Sequence, residues 1–140
     1  MVMSKSFNQI YVHIIFHVGK GAIIKRDKES ELYAYMVGVS KNLSNQILEM
    51  NGTENHIHIL VSLSPTISVG EFVNKMKSNS SRWMKKLDDN FSWQRGYGAF
   101  SVSSSVCDKV RRYIKKQKEH HKVISYQDEL QSFLEHYNLQ

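Results

Sequence analysis

The chain has 140 residues, of which 41% are hydrophobic, and its 19 Lys+Arg against 13 Asp+Glu give a net charge of +6 and a pI near 9.4. That length and apolar content suit one domain, residues 1–140, with one sizeable core. A lone Cys107 excludes an internal disulfide, and no apolar run approaches the roughly twenty residues that cross a bilayer. The start Met1-Val-Met-Ser-Lys-Ser-Phe7 has no secretory stretch, so the expected compartment is the cytoplasm. The basic balance favours a polyanionic partner such as nucleic acid.

Along the chain, the aromatic and β-branched run Ile10 to Val18 predicts a first strand, ended by Gly19-Lys-Gly21. Leu32, Tyr35, Met36, Val39 and Leu43 recur at helical spacing and predict a first helix over about 27–43. Ile47 to Met50, a turn at Asn51-Gly52 and the run from His56 to Leu63 predict a hairpin, closed by Pro65. Ser68-Val-Gly-Glu71 has capping-box spacing and opens a second helix with the stripe Val69, Phe72, Val73, Met76, Trp83 and Leu87. A further strand is expected at 99–103, a third helix from Ser105 to about His120, and a fourth from Ser125 to about Tyr137. This order predicts an α+β fold, an antiparallel ferredoxin-like or RRM-like sheet with helices packed on one face.

The most informative feature is His56-Ile57-His58. A strand alternates its side chains, so Ile57, Ile59, Val61 and Leu63 face the core while both imidazoles share the open face. Two neutral imidazoles at i and i+2 on a rigid strand are spaced to hold one divalent metal. The bland alternative is a pair of surface histidines. On the third helix Tyr113 and Gln117 lie four apart on one face, where a phenol beside a side-chain carbonyl suits covalent catalysis near a metal. Tyr97, Tyr126 and Tyr137 compete as nucleophiles. His120 and His121 read as solvated charges near a helix end, with a proton-carrying or substitute ligand role as the alternative.

Taken together, His56-Ile-His58, Tyr11-Val-His-Ile-Ile-Phe-His17, Asn51-Gly52, Phe72-Val-Asn-Lys-Met-Lys-Ser78, Trp93-Gln-Arg-Gly-Tyr97 and Tyr113-Ile-Lys-Lys-Gln-Lys-Glu-His-His121 give a pattern that resembles the single-tyrosine HUH transposases of small insertion sequences, TnpA type. Asn55 departs from it, standing where an acidic residue is expected. The resemblance implies a nuclease and strand transferase on single-stranded DNA, in which Tyr113 forms a 5′-phosphotyrosine while His56, His58 and Gln117 hold Mg2+ or Mn2+. It also implies binding to hairpin ends of an insertion element and a homodimer with shared active sites.

For DNA contacts, Lys75, Asn79, Arg82 and Lys86 form a basic stripe on the second helix, and Arg95 and Tyr97 sit with Trp93 in a glycine-containing loop where exposed rings could stack on bases. His13 and His17 share a face of the first strand and are candidates for DNA contact near the metal. The alternatives are a solvated helix face and a core tryptophan. The rival function is a ferredoxin-like module that binds single-stranded nucleic acid without chemistry, and a two-histidine hydrolase of another kind ranks below both.

Overall fold

A computed structural model describes residues 6–121 and 124–136. The order is β1 (Tyr11–His17), α1 (Glu29–Asn42), β2 (Gln46–Gly52), β3 (His56–Ser62), α2 (Val69–Lys85) and β4 (Gly98–Val102), followed by α3 (Cys107–Lys115), α4 (Gln117–His120) and α5 (Tyr126–His136). The sheet runs β2-β3-β1-β4 with every pair antiparallel. This is the ferredoxin-like sheet expected from the sequence, although helices pack on both of its faces and not on one alone, and among the described residues no helix is long and apolar enough to cross a membrane.

Strand alternation divides the sheet. Val12, Ile14, Phe16, Ile57, Ile59 and Val61 pack with Leu32 and Met36 of α1 and Phe72, Val73, Met76 and Met84 of α2. Each such side chain contributes roughly 1.5–3 kcal/mol of burial. At the start of α2, Ser68 Oγ accepts from the Glu71 amide at 3.0 Å, fixing the helix where the capping spacing placed it. Leu87 was expected on the apolar stripe but is 47% exposed, because α2 ends at Lys85 and Met84 turns inward instead.

The opposite face bears His13, Ile15, His17, His56, His58 and Leu60, and the C-terminal helices α3 to α5 cover it. Two local expectations change here. The hairpin turn falls at 53–55, and Asn51 and Gly52 are strand residues paired with His58 and Ile57. Gly52 is needed for close approach: a Cβ there would sit 2.1 Å from the His56 carbonyl oxygen and 2.8 Å from Ile57 Cα. The third helix is also interrupted, with Lys116 separating α3 from α4. The fourth helix is present, although Tyr137, at its expected end, lies outside the described residues.

Candidate metal centre and tyrosine site

The β3 histidines are both fully buried and are held from behind. His56 Nδ1 lies 2.7 Å from Asn55 Oδ1 and 2.9 Å from Thr53 Oγ1, and Thr53 Oγ1 also donates to Asn55 Oδ1 at 2.9 Å. With Nδ1–H donating to Asn55, the Nε2 lone pair of His56 points into the site. Asn55 thus makes, as a neutral amide, the orienting contact for which an acidic residue was expected.

His58 Nδ1 lies 2.8 Å from His13 Nε2, and His58 Nε2 lies 2.9 Å from Glu129 Oε1. Without a cation, Nε2–H donates to the carboxylate; with one, Nδ1–H donates to His13 and Nε2 carries the lone pair. The same 2.8 Å contact serves either tautomer. His13, a candidate for DNA contact, is only 3% exposed and lies behind His58, where its Nε2 bonds the His58 ring and leaves it little surface to offer a nucleic acid. His17 likewise packs its ring on Tyr126, with centroids 4.6 Å apart, and its Nδ1 bonds the Val18 carbonyl at 2.6 Å.

Tyr113 and Gln117 arrive from the two sides of the break at Lys116. The Asn51 amide donates to the Ile114 and Lys115 carbonyls at 3.1 and 3.0 Å, satisfying groups that a continuous helix would have bonded internally. Lys118 Nζ in turn reaches Asn51 Oδ1 at 2.6 Å. The Asn51 side chain therefore ties the tyrosine helix to the histidine hairpin. Gln117, fully buried, turns Oε1 to within 3.1 Å of His56 Nε2 and donates its amide to Glu129 Oε2 at 3.0 Å.

Glu129 joins these parts, although it belongs to none of the motifs in the sequence. It is 2% exposed on α5, and its carboxylate accepts from the Tyr113 hydroxyl and from Gln117 while Oε1 lies 3.0 Å from His121 Nε2. A detectable cue existed: Tyr126, Glu129 and Phe133 fall on one helical face, so a carboxylate stands within an otherwise aromatic stripe. His121, read as a solvated charge, belongs to the cluster. His120 sits at its edge, 3.5 Å from Glu129 Oε2.

Burial, reinforced by His58 nearby, holds His13 and His56 down at about 3, and burial likewise lowers His58. All three imidazoles are neutral at pH 7, as metal ligation requires. Burial alone would raise Glu129, but hydrogen bonds from His58, Tyr113 and Gln117 outweigh it and hold the carboxyl below its usual range. Burial, together with the carboxylate that accepts its proton, pushes the Tyr113 phenol up.

The donor set fits a divalent cation. His56, His58, His121 and Glu129 offer ligand atoms all within 4.8 Å of one another. An octahedral ion with bonds of about 2.1 Å sets neighbouring donors about 3.0 Å apart. The separations here are 3.1 Å for His56 to Gln117, 2.9 Å for His58 to Glu129 and 3.0 Å for His121 to Glu129. With Asn55 fixing the His56 tautomer, His56 Nε2 and Gln117 Oε1 are two acceptors facing each other, a juxtaposition that a shared cation relieves.

The sequence profile described as "Transposase IS200 like" matches residues 6–117. The chain belongs to the IS200-like transposase family. It is 31% identical over 86 residues to the transposase for insertion sequence element IS200 of Salmonella typhimurium strain LT2, a match covering 56% of each chain. It is 26% identical over 80 residues to the ISDra2 transposase TnpA of Deinococcus radiodurans, covering 51% of this chain and 57% of that one. The match thus spans little more than half the length of these curated relatives. In fold it is similar to a protein of Deinococcus radiodurans R1 provisionally named a transposase, at a TM-score of 0.65 with 16% identity, over 84% of this chain and 98% of that one. It is also similar to a REP-associated tyrosine transposase solved with a REP hairpin, at 0.66 with 11% identity, over 89% and 76% of the two chains.

In this family member the remaining candidates lie away from the histidines. Lys75, Asn79 and Arg82 are on α2 and Lys86 caps its C-terminal end, across the sheet from the cluster; Lys75, Arg82 and Lys86 are exposed, and Asn79 is half-buried with its amide on the Lys75 carbonyl at 2.8 Å. Arg95 and Tyr97 line a cleft with Asn74 and Lys77 between α2 and the 92–97 loop. Trp93 is a packing residue, edge-on to Phe16 and Phe91 with its indole N–H on Ser80 Oγ. Of the competing tyrosines, Tyr97 is on the α2 side and Tyr126 lies by the site, its ring 4.7 Å from that of His56.

Proposed function

We propose that this protein is a transposase that cuts and rejoins single-stranded DNA through Tyr113, with Mg2+ or Mn2+ held by His56, His58 and Gln117. The observation that carries this reading is the meeting of the Tyr113 hydroxyl and the His58 ring on one carboxylate, although β3 and α3 are far apart in the chain. Tyr113 Oη bonds to phosphorus and the P–O3′ bond breaks, leaving a 5′-phosphotyrosine and a free 3′-hydroxyl. In net terms one proton passes from the phenol to the departing 3′-oxygen. The phosphotyrosine keeps the ester's free energy, so a later 3′-hydroxyl reverses the step and reseals the strand without ATP.

A neutral phenol is a poor nucleophile, and burial of Tyr113 makes its ionisation harder still. When bound, the cation would supply Lewis-acid stabilisation of charge developing on the phosphate oxygens. Asn55 and His13 hold the ligand imidazoles, and Asn51 holds the helix end that carries the nucleophile. The substrate proposed is the hairpin end of an insertion element, in keeping with the relative whose name records a bound REP hairpin. A homodimer with exchanged tyrosine helices is a further part of the proposal, although Tyr113 and the histidines already meet within one chain.

The test is to incubate the protein with end-derived single strands and Mn2+ and look for a covalent protein–DNA band. Tyr113→Phe should abolish that band and spare binding, whereas Tyr126→Phe should keep it. A band that survives Tyr113→Phe refutes the assignment of the nucleophile, and a wild-type protein that binds the strand but never forms the band leaves the binding-module reading. If sites are shared, mixing Tyr113→Phe with His56→Ala subunits restores part of the activity; none restored, with both folded, means each subunit works alone.

A further inference from the structure

We propose that Glu129, delivered by α5, is an anionic ligand of the same cation, so that α5 is part of the metal centre. This assignment rests on the function proposed above and extends it to a residue beyond the family-matched segment, which ends at residue 117.

Charge is the first argument. His56, His58 and Gln117 are all neutral donors and all fully buried. A divalent charge placed among neutral donors out of contact with water is poorly compensated. Glu129 is the one carboxylate in the cluster among the described residues, and its nearest oxygen stands 2.9 Å from His58 Nε2 and 3.6 Å from His56 Nε2.

Position is the second. Glu129 sits between Tyr126, whose ring lies against His56, and Phe133, which stacks on Phe100 at 5.5 Å and 18°. An apolar side chain at that place would pack without the desolvation cost of a carboxylate. The two carboxylate oxygens also divide between two tasks: Oε1 faces the histidines, while Oε2 accepts from Tyr113 and Gln117. One side chain therefore fixes the phenol relative to the cation, which a ligand set ending at Gln117 would leave to α3 alone.

The experiment measures Mn2+ binding to the DNA-free protein by calorimetry, and the visible spectrum of the Co2+-loaded protein, for wild type, Glu129→Gln and Glu135→Gln. The last alters an exposed carboxylate of the same helix that pairs with Gln131. Glu129→Gln keeps the shape of the side chain and should lower Mn2+ affinity at least about ten-fold and alter the Co2+ spectrum, while Glu135→Gln should change neither. Unchanged affinity and spectrum in a Glu129→Gln protein with native circular dichroism overturns the assignment. Should that variant not fold, hydrogen exchange on the wild type decides: Mn2+ should slow exchange in α5, and unaltered α5 amides refute the ligand. Failure here leaves the tyrosine chemistry standing if the covalent band forms, whereas loss of Mn2+ affinity in Glu129→Gln without any band in wild type sinks the chemistry and keeps the ligand.

Discussion

Replacing His13 with Ala separates its two readings, DNA contact and ligand positioning. The ring is 3% exposed and its Nε2 makes the 2.8 Å contact with His58 Nδ1. Truncation strands that buried nitrogen, at about 1–3 kcal/mol, besides removing the ring's packing. Loss of an orienting partner of a metal-bound imidazole typically costs 10–100-fold in affinity, or about 1.4–2.7 kcal/mol. The expected result is a lower urea midpoint and a Mn2+ affinity reduced by that factor, with DNA affinity in EDTA unchanged apart from any loss of folded protein. His13→Gln, which can still bond to His58, should recover part of the Mn2+ affinity. If His13→Ala weakened metal-free DNA binding and left Mn2+ affinity intact, the positioning argument would be wrong and the surface reading right.

Gly52→Ala should destabilise the fold by at least about 2 kcal/mol, since backbone atoms cannot retreat as side chains do from a Cβ 2.1 Å away; an unaltered thermal midpoint contradicts the close-approach argument. Neutralising Lys75, Arg82 and Lys86 together should reduce the slope of log affinity against log salt for single-stranded DNA by about 2, at roughly 0.7 per phosphate, if α2 binds the backbone; an unaltered slope makes the stripe a solvated face. In acid the metal-free protein should lose stability. His13 and His56 are held at about 3 against 6.5 unfolded, so the unfolded chain binds more protons in that interval, and stability present above about pH 6.5 declines as pH falls towards 3. Glu129, also lowered, adds a loss in the same direction below its unfolded value of 4.5. Urea midpoints from pH 7.5 to 5 check this, and a flat or rising midpoint on acidification is the contrary outcome.

What could be read in the sequence was what depends on periodicity. Alternation in β1 and β3 separates core from site residue by residue, and the helical stripe of α2 needed only the Ser68 cap and its apolar spacing. The features that escaped depend on partners distant in the chain. Asn51-Gly52 carries the strongest short-range turn signature, yet the Asn51 amide is taken by α3 carbonyls 63 and 64 residues away, and Gly52 is needed for closeness to β3. Alternation placed His13 correctly on the open face but could not say that α3 and α5 would cover that face. Glu129 lies 71 residues from His58, and nothing local marks it except a charge inside an aromatic stripe.

The two faces of the sheet are held by different forces, and this bears on how the strand of DNA in the proposed function would reach the site. On the α1 and α2 side the contacts are apolar, continuous and fully buried. On the other side, α3 to α5 are attached through a smaller apolar set that includes buried Ile15, Leu60, Phe100 and Ile114 and through polar links: Asn51 to α3, Lys118 to Asn51 and to Glu29 at 2.8 Å, and Glu129 to the histidines, with Phe133 on Phe100 as an aromatic anchor. Each link contributes about 1 kcal/mol net, and segments held this way open at lower free energy than a packed core. Tyr113 and its carboxylate partner therefore sit in the layer better able to part locally, which under the proposed function is where a phosphate would enter, while the histidines stay on the strand whose reverse face is the core.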